Sequence, residues 1–182
     1  MLTRPPSLRC AALRYATLLC YSYPSFCNSS YPFEESQVAS IEDELDEYWP
    51  SFGGADTDFW KHEWEKHGTC AGPFIEGELA FFKETLQMAE QSDLLNALLA
   101  AGIKPSDSDE YSPEDIVEAL ADGLGVTPAI HCSGATGIGT QLSEVWICVD
   151  TDLAFMECPS IVKTTCTGDI AIPPVPSRVV AT

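Results

Sequence analysis

Between residues 34 and 48 the apolar positions Val38, Ile41, Leu45 and Tyr48 recur at steps of three and four, which predicts an amphipathic helix. Its other side carries Glu42, Asp43, Glu44, Asp46 and Glu47, a solvated acidic face. A loop with Gly53, Gly54 and Asp56 follows, then a helix that Gly68 ends and a turn at 71–73. Residues 77–91 read as a helix with Leu79, Phe82, Leu86 and Ala89 inward, and 94–101 as another stopped by Gly102. Ser112 is a cap-like start, with Pro113 in the first helical position and Glu114 and Asp115 near the positive end of the dipole. Ile116, Val117 and Leu120 supply the buried side of that helix, and Gly123 and Gly125 end it. Beyond it the period shortens to two, predicting strands over 127–132, 141–149 and 153–158 with a glycine-bearing hairpin loop at 133–140. Helices first and strands later make an α+β fold. The Pro/Val-rich stretch 173–182 is expected to fray as a tail.

Composition narrows the partners. A chain of 182 residues suits one domain with a sizeable core. The net charge of −19 opposes tight, nonspecific binding of a polyanion at neutral pH. Arg4, Arg9 and Arg14 all precede the first acid, Glu34, after which acids dominate. Protonation at acid pH would weaken that field. Eight cysteines point to an oxidising compartment, and Asn28-Ser29-Ser30 is a glycosylation sequon that has meaning in a secreted chain. No stretch approaches a membrane span, and Arg14 interrupts the apolar run that a signal peptide needs.

The chemistry is concentrated in FWKHEWEKHGTC, residues 59–70. With His62 at zero on a helix, Lys66 falls near about 40°, Glu63 near about 100° and His67 near about 140°. Two imidazoles, a carboxylate and an ammonium therefore share one side, while Trp60 and Trp64 begin the apolar side. Such a patch suits phosphoryl or acyl transfer. A zinc-protease helix spaces its histidines four apart, whereas His62 and His67 are five apart. The ideal-helix angle argues against a shared ion, so no metal and no cofactor is expected.

FWKHEWEKHGTC resembles the second active-site segment of the ribonuclease T2 family, the transferase-type RNases that include plant S-like enzymes. YPSFCNSS, PFEESQV, YWPS, QLSEVWICVD and FMECP resemble plant members in order and spacing. The resemblance covers residues 22–172, with residues 1–21 unmatched. It implies a T2-like antiparallel sheet backed by helices, with N-terminal strands missing, and three disulfides: Cys27–Cys70, Cys132–Cys166 and Cys148–Cys158. Cys10 and Cys20 are left unassigned. The resemblance implies that His67 transfers a proton, His62 helps hold the phosphate, and Glu63 and Lys66 stabilise the pentacovalent phosphorane. Phe59 is implied as a ring beneath a base and Ser51 as a polar base contact. The implied substrate is single-stranded RNA. A monomer is expected, with no membrane and no protein partner, in an extracellular or vacuolar/lysosomal setting.

One family segment, resembling HGLWP, has no counterpart. The histidines are His62, His67 and His131, and His131 lies where the family places no catalytic group. The expectation is a chain lacking its N-terminal part, with exposed sheet edges and impaired cleavage. The alternative is a non-catalytic scaffold that binds nucleotides or serves storage or defence. A zinc site with nearby thiols is the third.

Overall fold

The structure, a computed structural model, describes residues 9–11, 25–51, 53–72, 74–134 and 140–174. The stretch 34–48 is two helices, α1 (Glu35–Val38) and α2 (Glu42–Tyr48), joined by a 3-10 turn at Ala39–Ile41. Tightening that turn keeps Val38, Ile41 and Leu45 all buried on one side. Helix α3 (Asp56–Lys66) follows, then a 3-10 turn Gly68–Cys70, α4 (Glu78–Ser92) and α5 (Leu94–Ala100). In α4 the inward side is rotated from the sequence expectation. Phe81, Phe82, Thr85 and Met88 are buried, and Leu79, Leu86 and Ala89 are only half-buried. Thr85 tolerates burial because its hydroxyl donates to the Phe81 carbonyl at 2.8 Å.

After the short strand β2 (Glu110–Tyr111) comes α6 (Pro113–Leu124), where Ser112 Oγ accepts from the Asp115 N–H at 3.1 Å. Gly125 ends α6 at φ +73°, but Gly123 lies inside it. A Cβ at Gly123 would sit 2.4 Å from the Ala97 Cβ, so this glycine serves the close approach of α5 and α6 rather than a helix stop.

The strands are β1 (Arg9–Ala11), β3 (Ala129–Gly134), β4 (Thr140–Val149), β5 (Phe155–Met156) and β6 (Ile170–Ala171). Strand β4 is the hub, antiparallel to β1, β3 and β5 and parallel to β6 at Gln141↔Ala171. The α+β fold is as expected, and its sheet is antiparallel apart from the β4–β6 pair, which makes it mixed. Only the middle of 153–158 is extended, as the Cys148–Cys158 disulfide and a turn at 151–153 shorten the strand. Residues 9–11, assigned to the unmatched segment, pair with 147–149 as β1. The hairpin loop 135–139, the tail from 175 and Cys20 lie outside the described residues.

Two cores result. Ile116, Leu120, Ile130, Val145, Ile147 and Ile170 join α6 to the sheet. Val38, Leu45, Trp49, Trp60, Trp64, Phe81 and Phe82 join the N-terminal helices to each other. Disulfides link Cys27 to Cys70, Cys132 to Cys166 and Cys148 to Cys158. No helix among the described residues is long and apolar enough to cross a membrane.

Candidate active site

Helix α3 is fixed from its apolar side. Trp60 is buried, and its indole N–H donates to the Trp49 carbonyl at 2.8 Å. The Trp64 N–H donates to the Tyr31 carbonyl at 3.0 Å. Asp56 and Asp58 occupy the first turn and Lys66 the last, each complementing the helix dipole. Asp56 also accepts from the Ser51 backbone N–H. Glu65 accepts from the Phe33 N–H at 3.3 Å, and the buried Glu78 on α4 accepts from the Glu34 N–H at 3.0 Å. These two acids strap the segment before α1 across α3 and α4. Sequence reasoning missed both, because each bonds to backbone far away in the chain and spacing carries no such signal.

The far side of α3 carries the polar cluster. A ring nitrogen of His62, a carboxylate oxygen of Glu63 and a ring nitrogen of His67 all lie within 4.8 Å of one another. The Lys66 ammonium donates to His62 Nε2 at 3.4 Å, and the two imidazoles meet edge-on with centroids 6.1 Å apart. The ideal-helix angle had argued against His62 and His67 gripping one ion, and their ring nitrogens lie nearer than that angle implies. His67 is the C-terminal cap, with φ −111° and ψ −50°, where the chain leaves α3 for the 3-10 turn. Off the ideal helix, long side chains five apart converge. The three groups are close enough to hold one ion. An ammonium in contact with one of the donors repels a dication, however, so proximity alone does not make a metal centre.

The protonation states are shifted in opposite directions. Burial raises the Glu63 carboxyl to about 7, partly opposed by the Lys66 charge. Burial lowers His67 to about 4, helped by the nearby charges of Lys66 and His62. His62 is also lowered, by burial and then by Lys66. Between about 4 and 7 the site thus holds a neutral imidazole at His67, a neutral carboxyl at Glu63 and an ammonium at Lys66. That set offers one proton acceptor beside two groups able to donate to an anion.

Phe59 is half-buried, and its ring meets Trp49 edge-on with centroids 6.4 Å apart. It shares the His62 side of α3 by helical angle. The Ser51 hydroxyl accepts from the Gly53 N–H at 3.3 Å, so it is engaged in its own loop. His131 stands apart in β3, stacked on Trp146 at 4.0 Å, with its Nε2 buried and unpaired. Asn28 is exposed, and its Oδ1 accepts from the Ser30 N–H at 3.0 Å.

Comparison with known proteins gives the family and the fold. Residues 16–158 match the ribonuclease T2 family. The chain is 36% identical over 156 residues to extracellular ribonuclease LE of Solanum lycopersicum, covering 84% of this chain and 67% of that protein. It is 38% identical over 155 residues to ribonuclease DdI of Dictyostelium discoideum, covering 84% and 66%. The chain thus spans about two thirds of the length of these relatives. Its structure superposes on RNase NT, solved in complex with 5′-AMP, with a TM-score of 0.75 at 32% identity, covering 84% of this chain and 76% of that one. By sequence match and by fold together, the chain belongs to the ribonuclease T2 family.

Proposed function

We propose that this chain binds single-stranded RNA and cleaves it, slowly, by transesterification to a 2′,3′-cyclic phosphate that water then opens. The observation that carries the reading is the convergence of His62, Glu63 and His67 within 4.8 Å, with Lys66 on His62. Neutral His67 accepts the ribose 2′-OH proton as that oxygen attacks phosphorus. Lys66, His62 and protonated Glu63 receive the charge that builds on the phosphoryl oxygens. The P–O5′ bond breaks, and the departing oxygen needs a proton. The remaining histidine, His131, is packed on Trp146 in the sheet, so no imidazole beyond the cluster is dedicated to that step; water protonates the oxygen and regains its proton from the His67 imidazolium. Loss of one general acid costs about 10²–10⁴-fold in rate.

Phe59 supports one base by its ring. Ser51 contributes backbone shape there more than hydroxyl contact, given its bond to Gly53. The chain acts as a monomer in an oxidising, acidic compartment, with Asn28 available for glycosylation. The test incubates oxidised protein with a diribonucleotide at pH 5 and pH 7 and follows the cyclic phosphate. Slow cleavage that is lost in His67→Ala and kept in His131→Ala supports the reading. Cleavage that survives His67→Ala refutes it.

A further inference from the structure

His131 is the histidine that the α3 cluster does not use, and its ring has a particular setting in the sheet. On β3 it stands opposite Glu144 of β4, with Trp146 on the diagonal of the same face. The imidazole lies flat on the Trp146 indole, centroids 4.0 Å apart and planes 13° from parallel. The indole is itself fixed: Trp146 is buried, and its N–H donates to Glu144 Oε2 at 2.6 Å. The backbone around the imidazole is pinned as well. The His131 carbonyl accepts from the Ser143 hydroxyl at 3.0 Å, and Cys132 is tied to Cys166. One residue earlier, the Ile130 N–H donates to Thr164 Oγ1 at 3.2 Å and its carbonyl accepts from the Thr165 N–H at 3.0 Å. What is left to respond to a proton is the ring.

Its Nε2 is buried and has no hydrogen-bond partner among the described residues. In the neutral ring this nitrogen can be the bare acceptor. In the imidazolium it must be an N–H, and a buried donor of a charged group with no acceptor is the more costly state. Glu144 and the indole face both favour the cation, but burial outweighs them and holds His131 below its ordinary 6.5. Other charged groups are turned elsewhere. Lys163, in the segment along the other edge of β3, is exposed, and Glu157 after β5 accepts from the Thr127 N–H at 3.0 Å. Helix α6 packs on Ile130 and Val145, the opposite face of the sheet, so Glu114, Asp115, Glu118 and Asp122 lie behind it.

We propose that His131 is an acid-sensitive latch on the β3–β4 hairpin: neutral, it stacks on Trp146; protonated, it leaves the indole to hydrate Nε2, and the hairpin loses a cross-strand support. The residue is half-buried, so water is close at hand. The latch contributes stability in full above about 6.5 and loses it as pH falls through the lowered folded-state value. It senses acidification in the sheet and does not depend on the RNA reading of the α3 cluster.

The test follows the histidine Cε1–H signals of oxidised full-length protein by NMR from pH 8 to pH 3.5, with His62→Gln and His67→Gln assigning His131 by elimination. A proton over an indole is displaced by its ring current. The His131 signal should titrate below 6.5 and lose that displacement as it does so. Titration at 6.5 or above, or a ring-current displacement that persists in the protonated form, overturns the latch. Thermal melts at pH 7.5 and pH 4.5 give a second readout. His131→Phe keeps a ring for Trp146 that takes no proton, so from the higher to the lower pH it should gain about 2–4 °C on the wild type. His131→Ala loses the stack at both values and should melt below the wild type, by less at pH 4.5. Wild-type and His131→Phe melting temperatures that stay the same distance apart at the two pH values also overturn the proposal. Absence of any RNA cleavage changes none of these readouts.

Discussion

Replacing Gly68 by alanine tests how the cluster is held. Gly68 is buried directly after His67, and a Cβ there would meet Trp64 Cε3 at 2.3 Å, Trp64 Cζ3 at 2.9 Å and Phe81 Cδ1 at 3.1 Å. Neither ring can yield freely. Trp64 is 5% exposed and its N–H is spent on the Tyr31 carbonyl. Phe81 is wedged among Trp49, Trp64 and Phe82. Overpacking of this kind costs about 1–3 kcal/mol. Losing the Trp64 hydrogen bond adds about 0.5–1.5 kcal/mol. For a chain of this size each kcal/mol lowers the melting temperature by about 2–4 °C, so a drop of roughly 3–18 °C is expected. Thermal unfolding followed by near-ultraviolet circular dichroism reads both the midpoint and the tryptophan packing. Gly72→Ala is the control, since its nearest neighbour is the Thr69 carbonyl at an ordinary 3.8 Å. Equal melting of Gly68→Ala and wild type would refute the claim that Trp64 and Phe81 leave no room for a methyl group at Gly68.

Other substitutions probe separate supports. Trp60→Phe leaves the buried Trp49 carbonyl without its donor and should cost about 1–3 kcal/mol in denaturant unfolding, with the midpoint moving and the slope unchanged. Ser112→Ala removes the cap on α6 and should cost about 1 kcal/mol by the same assay. Glu63, raised in the fold from 4.5 to about 7, contributes stability that is complete below about 4.5 and lost as pH rises through about 7. Glu63→Gln should therefore flatten that decline in a series of melts across pH 4–8; an unchanged profile would show that the carboxyl is not buried as described. His67, lowered from 6.5 to about 4, has the opposite sign: its contribution is complete above 6.5 and lost as pH falls through about 4. Residual cleavage should accordingly peak between about 4 and 7, where His67 is neutral and Glu63 protonated.

Local signals in the chain were sufficient for much of this protein. The three- and four-residue recurrence around Val38, Ile41 and Leu45, the Ser112–Pro113 start and the apolar β-type run within 141–149 each report on neighbours a few residues away, which is why they were legible. The gathering of His62, Glu63, Lys66 and His67 on one side of α3 was legible for the same reason. The misread positions are those where a distant segment decided. Gly123 answers to Ala97 on another helix, and the parallel pairing at Gln141 answers to Ala171 thirty residues on. Ideal helix angles set His62 and His67 too far around the helix to share one ion, whereas His67 sits at the cap with φ −111° and their ring nitrogens come within 4.8 Å. Burial of Glu63, and with it the reversed proton affinities of Glu63 and His67, also needed the assembled core. Sequence spacing determines which groups can share a face. How far those groups are removed from water, and therefore which of them carries the proton, depends on segments packed from elsewhere in the chain.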